Sequence, residues 1–266
     1  MRAQILRHFS ESCPWQDSVL YFDSIDSTNT RAKELAAQGA PHGTVLIADH
    51  QTGGRGRLGR TFLSPAGTGI YLSVILRPNC TPAELMHLTC AAAVAMCDAV
   101  ERSAGFRPSI KWTNDLVYGG RKLAGILTEL SISPQGMVDY AVIGVGINCC
   151  QKESDFPGEI RSIAGSLSMF SPSPVDRSRV AAAVVEALYE MSENLLHEKH
   201  SIMAHYRADC ITLGREVSIV KADGSVRYAK AVDIDEEGAL IVCSPDNTIG
   251  IVNSGEVSVR GMYGYV

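Results

Sequence analysis

Gln51-Thr52-Gly53-Gly54-Arg55-Gly56-Arg57-Leu58-Gly59-Arg60 is the stretch around which the chain is organised. From Gly53 to Arg60 it holds four glycines, three arginines and one leucine. With almost nothing apolar to bury, it is no core element. Interior glycines also make it a poor helix or strand, because they lose the most backbone entropy on ordering. What it offers is bare backbone N–H groups and three permanent positive charges. Together they suit an anion with many acceptor oxygens, above all a phosphate. No acidic partner stands beside the arginines, which argues against a plain flexible linker.

Gly54-x-Gly56-x-x-Gly59 matches the dinucleotide fingerprint, and Thr44 to Ala48 just ahead of it reads as a strand. The fingerprint also needs a helix that starts inside it. Here Ser64-Pro65 and two more glycines, Gly67 and Gly69, follow instead. The pattern is therefore incidental to a dinucleotide site.

Working outward, Val19 to Asp23 reads as a short strand. Asp26 or Ser27 caps a helix to about Gln38, with Gly39 as its stop. Ile70 to Leu76 is a buried strand. Thr81-Pro82-Ala83-Glu84 is a capping box before an alanine-rich helix to about Ala104. Ser109 to Trp112 reads as a strand. Leu123 to Ser131 and Met137 to Val145 form a hairpin, and Gly144-Val145-Gly146-Ile147-Asn148 ends it in flexible backbone. Residues 150–175 are irregular, with a short helix near Ile160 to Leu167. Asp176 caps a long helix through Leu195, and a second helical piece ends near Cys210. Beyond Leu213-Gly214 the texture changes to short strands at Val217–Val220, Arg227–Val232, Ala239–Cys243, Thr248–Val252 and Val257–Arg260. The turns between them fall at Asp223-Gly224, Glu237-Gly238 and Asp246-Asn247. Such spacing predicts a small β-barrel.

The 266 residues suffice for one large domain plus a small one. A net charge of −5 argues against a general nucleic-acid coat, so the arginine loop is a local positive spot on an acidic protein. No apolar run is read as membrane-spanning, and Met1 to Ser18 lacks the apolar stretch of a signal peptide. The eight cysteines include no C-x-x-C pair and read as reduced thiols of a cytoplasmic protein. His197, His200 and His205 lie on a polar helix and read as a solvated face rather than a metal site. Neither a G-x-S-x-G elbow nor a P-loop is present.

Three further stretches carry chemistry. In Lys111-Trp112-Thr113-Asn114-Asp115, the last two residues either shape a turn or offer oxygens to Mg²⁺. Arg121-Lys122-Leu123-Ala124-Gly125-Ile126-Leu127 puts a lysine at the start of a buried strand, and Gly125 permits close approach of a ligand. Ser27-Thr28-Asn29 opens a helix and can bind a polar ring.

Taken in this order, with Asp26 ahead of Ser27, these stretches resemble the biotin protein ligases over roughly residues 20–266. The resemblance extends to Gly255-Glu256-Val257-Ser258-Val259-Arg260 as the last strand of a C-terminal barrel. It implies an α+β fold. A mixed β-sheet flanked by helices forms a class II synthetase-like catalytic domain over 1–212, and an SH3-like barrel follows over 213–266. It also implies an ATP-dependent, AMP-forming enzyme that makes biotinyl-5′-AMP and passes biotin to a lysine of a biotin carboxyl carrier protein. Ser27, Thr28, Asn29, Gln51, Arg55, Gly56, Arg57, Lys122 and Gly125 match biotin-binding positions. Arg57, Phe62, Asn114, Lys122 and Asn148 match nucleotide positions, Lys122 and Arg57 the catalytic ones, and Asn114 and Asp115 contacts to Mg²⁺ and phosphate. Phe62 stands where some relatives place a tryptophan against adenine. The loop is expected to be mobile when empty and to close over the adenylate.

Before the first strand there is too little chain for the winged-helix domain some members carry. That implies a monofunctional ligase, monomer or homodimer, with neither nucleic acid nor membrane among its partners. The rivals are a lipoate or octanoate ligase of similar fold and a non-catalytic biotin sensor. The arginine pair, triple glycine and His-Asp pattern of the first are missing here. The second has no use for Lys122, Asn114 and Asp115.

Overall fold

The computed structural model describes residues 1–221 and 224–253, and the backbone alone of 257–261. The chain opens with α1 (Arg2–Leu6) and runs through β1 (Val19–Phe22), α2 (Thr28–Ala37), β2 (Thr44–Ala48), β3 (Gly69–Leu76) and α3 (Leu88–Ala104). β4 (Ser109–Lys111), β5 (Asp115–Tyr118), β6 (Arg121–Ile132) and β7 (Val138–Asn148) follow, then α4 (Arg177–Asn194) and α5 (Lys199–Asp209). The last five strands are β8 (Glu216–Lys221), β9 (Val226–Ile234), β10 (Leu240–Cys243), β11 (Ile249–Val252) and β12 (Val257–Gly261).

The first seven strands form one sheet in the order β1-β2-β3-β7-β6-β5-β4. β1 and β2 are parallel and every other pair is antiparallel. The sheet is therefore mixed, and helices cover both faces. α3 and α4 pack on one face in the main core, where Val74, Ile143, Val145 and Ile147 meet Ala92, Met96, Val184 and Leu188. On the other face α2 lays Ala32 and Ala36 against Leu46, Ile75 and Val142. α2 starts where the sequence expects it, because the Ser27 hydroxyl caps the Thr30 amide. α4 likewise starts at Asp176, whose carboxylate takes the Ser178 amide at 2.8 Å.

Several expectations need correcting. Thr81 and Glu84 do form the reciprocal capping contacts, but they open a 3₁₀ turn at Ala83–Leu85, and α3 begins only at Leu88. On length and composition, Ala83–Ala104 is apolar enough to cross a membrane, which the sequence reading missed; two thirds of that window, 67%, is buried in the core. The short helix expected near Ile160 to Leu167 is reduced to a 3₁₀ turn at Leu167–Met169, and no α-helix forms ahead of it. The chain turns there, and its last turn pairs with the backbone of Lys122. Gly144 to Asn148 is no flexible end but a regular part of β7, with Gly144 to Ile147 paired on both sides and Asn148 paired to Gly69 of β3.

β8 to β12 make the second sheet, antiparallel in the order β11-β10-β9-β8-β12, the SH3-like unit expected after residue 212. Asn247, at φ 64°, takes the left-handed position of its turn. Asp223, Gly255 and Glu256, named in the sequence reading, lie outside the described residues. The two sheets are joined where the Trp112 indole donates to the Gly238 carbonyl at 3.0 Å and Arg207 reaches the carbonyl of Ile234 and the carboxylate of Glu236. All eight cysteines are unpaired.

Candidate active site

Residues in register on neighbouring strands share a face of the sheet, and side chains alternate along each strand. One row across the sheet reads Leu46, Ser73, Gly144, Leu127. The next reads Ala48, Tyr71, Gly146, Gly125, Asp115. Both rows lie on the α2 face, just beyond the apolar patch that α2 covers. At the three glycines the sheet carries no side chain, and a cavity of about 500 Å³ opens over them.

The space above each glycine is taken by a side chain the sequence reading singled out. A Cβ on Gly144 would stand 2.6 Å from Cγ of Asn29. One on Gly146 would stand 2.6 Å from the Phe62 ring, and one on Gly125 would stand 3.1 Å from Nζ of Lys122. The glycines serve the close approach of these groups. Against Gly125 lies the ammonium end of Lys122.

At one end of the cavity Thr28 and Asn29 are buried at the start of α2. Gln51 Oε1 accepts from the Thr28 amide at 2.8 Å and its hydroxyl at 3.1 Å, while Gln51 Nε2 donates to Ser64 at 2.9 Å. The fully buried Ser73 hydroxyl lies 2.8 Å from Thr28 Oγ1 and 2.7 Å from Asn29 Oδ1. Asn29 Nδ2 donates to the Leu127 carbonyl and to Glu129. These partners fix both amide orientations, so this end presents a defined set of donors and acceptors.

At the other end Lys122 Nζ pairs with Asp115 Oδ1 at 2.6 Å. Arg57 Nη1 donates to Asn114 Oδ1 at 2.9 Å, and Asn114 Nδ2 to the Ile126 carbonyl at 2.8 Å. Burial lowers the Arg57 pKa, and the Asp115 charge partly offsets that. Two cations from distant segments thus meet beside two neighbouring side chains, and Asp115 alone of the two carries negative charge.

The glycine–arginine loop closes the cavity from the side. It folds back on itself through Gly56 N to Arg60 O at 2.7 Å and Phe62 N to Gly54 O at 3.0 Å. Leu58 at φ 54° and Gly59 at φ 72° make its tip. Contrary to the sequence reading, the arginines do have an acidic partner: Arg55 Nη1 lies 3.3 Å from Glu129 Oε1, 74 residues away in sequence.

Ser27, Thr28, Asn29, Gln51, Arg55, Gly56, Arg57, Phe62, Asn114, Asp115, Lys122 and Gly125 all line the cavity. Asn148 does not. It is buried, and its amide donates to the Gly165 carbonyl at 3.0 Å, which pins the turn beside Lys122. Asn114 and Asp115 stand together at the cationic end of the cavity. Both engage cationic side chains, and among the described residues no three His, Cys, Asp or Glu side chains stand together. Sequence reading missed Ser73 and Glu129, whose partners are visible only once β3 and β6 are side by side with α2.

Two family models match the chain. The Biotin/lipoate A/B protein ligase family matches residues 21–148, and the Biotin protein ligase C terminal domain matches 212–260. Fold and cavity thus define a protein ligase of the biotin/lipoate class. The bifunctional ligase/repressor BirA of Bacillus spizizenii is 37% identical over 225 residues, 84% of this chain and 69% of its own length. The biotin–[acetyl-CoA-carboxylase] ligase of Mycobacterium tuberculosis is 34% identical, over 87% of this chain and 85% of its own. The solved biotin protein ligase of Aquifex aeolicus, in complex with biotin and ATP, superposes with a TM-score of 0.76 at 30% identity, covering 91% of this chain and 98% of that one. The chain belongs to the biotin protein ligases.

Proposed function

We propose that this chain activates biotin with ATP and transfers it to a lysine of a biotin carboxyl carrier protein, working in the cytoplasm. Residues 1–212 carry the cavity and 213–266 form the C-terminal unit. In the first step a carboxylate oxygen of biotin bonds to the α-phosphorus of ATP. The bond to the β-phosphate oxygen breaks, pyrophosphate leaves, and biotinyl-5′-AMP remains. In the second step the carrier amine attacks the carbonyl carbon, AMP leaves with the bonding pair, and the amine loses its proton.

The observation that carries this reading is the meeting of Lys122 and Arg57 at one end of a cavity whose other end is a fixed polar cradle. The ureido ring needs both donors and acceptors, which Ser27, Thr28, Asn29 and Gln51 supply. Arg55 and the Gly56 backbone face its carboxylate. Lys122 lies where carboxylate and α-phosphate, two anions, must approach each other. Its exchange of Asp115 for them lowers their repulsion, and Arg57 adds charge for the pentacovalent transition state. Phe62 offers an aromatic face to adenine. Asn148 acts through backbone, not by contact. Mg²⁺ arrives on the triphosphate, as part of the substrate.

The test is to incubate the protein with MgATP and either biotin or lipoate, and to follow pyrophosphate release and label transfer to a carrier domain. Release with biotin and transfer are expected. Release with lipoate alone overturns the substrate, and binding without release overturns the enzyme.

A further inference from the structure

Glu129 belongs to none of the motifs that carry the family resemblance, and it does not line the cavity. It nevertheless joins three segments. Its Oε2 accepts from Asn29 Nδ2 at 3.0 Å, and its Oε1 accepts from Lys33 Nζ at 2.7 Å and from Arg55 Nη1 at 3.3 Å. Asn29 is in turn held by Ser73 and the Leu127 carbonyl. An unbroken hydrogen-bonded line therefore runs from Ser73 on the sheet through Asn29 and Glu129 to Arg55 in the loop. The loop is tied again on the far side, where Arg57 meets Asn114.

We propose that Glu129 is the positioning residue that fastens the glycine–arginine loop over the ring-binding end of the cavity, holding Arg55 with the carboxylate that also orients Asn29. The consequence for catalysis rests on the adenylate reading above, but the contact itself does not. A guanidinium has five N–H donors, and Glu129 engages one of them, so Arg55 can hold the loop and still face a ligand carboxylate. A half-exposed ion pair is weak by itself. Here it acts on a glycine-rich segment whose ordering is opposed by backbone entropy, so one anchor shifts the balance between a closed and an open loop. Lys33 shares Oε1, but it belongs to α2 and its ion pair is with Glu129 rather than with the loop.

The test compares wild type, Glu129→Gln and Lys33→Ala in the full chain. Amide hydrogen exchange over residues 53–60 is read without ligand, and dissociation of biotinyl-AMP is read separately. Glu129→Gln keeps an oxygen for Asn29 but loses the charge. It is expected to speed both loop exchange and adenylate loss about tenfold, with the melting temperature shifted by only a few degrees. Lys33→Ala is expected to leave both at wild-type rates. Wild-type loop exchange in Glu129→Gln overturns the proposal. So does equal loosening by Lys33→Ala, which would assign Glu129 to the support of α2. Should Glu129→Gln fail to fold, Glu129→Asp withdraws the carboxylate by one methylene and is read the same way, wild-type exchange again overturning the proposal. A wild-type protein that makes no adenylate would refute the enzymatic reading and leave the exchange comparison intact.

Discussion

Gly144→Ala is the sharpest single perturbation of the cavity. Position 144 has ordinary strand dihedrals, so a Cβ there meets no backbone objection, and in an open strand alanine would be favoured over glycine by roughly 0.5–1 kcal/mol. The obstacle is Asn29. The new methyl overlaps Oδ1 and would stand 2.6 Å from Cγ and 2.8 Å from Nδ2, so the amide must leave. Leaving gives up the bonds to Ser73, to the Leu127 carbonyl and to Glu129. Two neutral bonds at about 1 kcal/mol each and one to a carboxylate at about 1.5–3 sum to some 4 kcal/mol, of which water entering the cavity restores part. Net destabilisation of about 2–3 kcal/mol is expected, within the usual range for a broken buried network. Loss of the amide from the cradle should also weaken binding of biotin alone by about a hundredfold, or ~2.7 kcal/mol. Titration calorimetry without ATP reads the second effect and urea unfolding the first. Gly158→Ala, where a Cβ meets nothing within 4 Å, is the neutral control. Biotin affinity within threefold of wild type in Gly144→Ala would refute the assignment of Asn29 to the ring.

Arg57→Gly should still form adenylate but release it, because the guanidinium that meets Asn114 closes that end of the cavity; no more free biotinyl-AMP in solution than with wild type would remove that role. Lys122→Met should slow pyrophosphate release by about 10²–10³, the usual cost of one preorganised charge in a transition state. Its stability should fall by at most about 1 kcal/mol, since the pair with Asp115 is partly solvated. Burial opposes ionisation of Glu129, but bonds from Lys33 and Asn29 and the charges of Lys33 and Arg55 outweigh it and hold the carboxyl below its usual 4.5. A depressed folded-state pKa means the stabilisation is present above pH 4.5 and lost as pH falls through the folded value, so Glu129→Gln should flatten the acid side of a stability–pH curve. Trp112→Phe removes the indole bond to Gly238 between the two sheets and should lower the urea midpoint by an amount equivalent to about 1–2 kcal/mol.

Local chemistry was legible in the sequence where one segment suffices to express it. Ser27 and Asp176 announce their helices because capping is a contact within three residues. The glycine–arginine loop announces itself because its composition allows nothing else. The failures have one physical source, which is that the deciding partner is remote. Thr81–Glu84 is a true capping box, yet packing delays α3 to Leu88. β5 is four residues long and hidden among turn formers, and it exists because β6 pairs with it. Asn148 reads as a free polar group at a strand end until the carbonyl of Gly165 is brought beside it.

Gly144-x-Gly146 shows most clearly what a single strand cannot reveal. Read alone, two glycines at alternate positions look like weak, flexible backbone. In the sheet they fall in line with Leu127 and Gly125 on β6 and with Ser73 and Tyr71 on β3. Each is needed because a functional side chain from another element lies where its Cβ would be. The same geometry explains why Glu129 escaped notice. On β6 it is an ordinary charged residue in an alternating strand, and only α2 on one side and the loop on the other turn it into a junction. The loop is therefore not an autonomous phosphate grip. Its two anchored arginines take their positions from the ends of one sheet face, Glu129 fixing the cradle side and Asn114 the side of Lys122. Spacing between the two ends of the cavity is then set by the sheet, and the glycines leave the loop backbone free to follow.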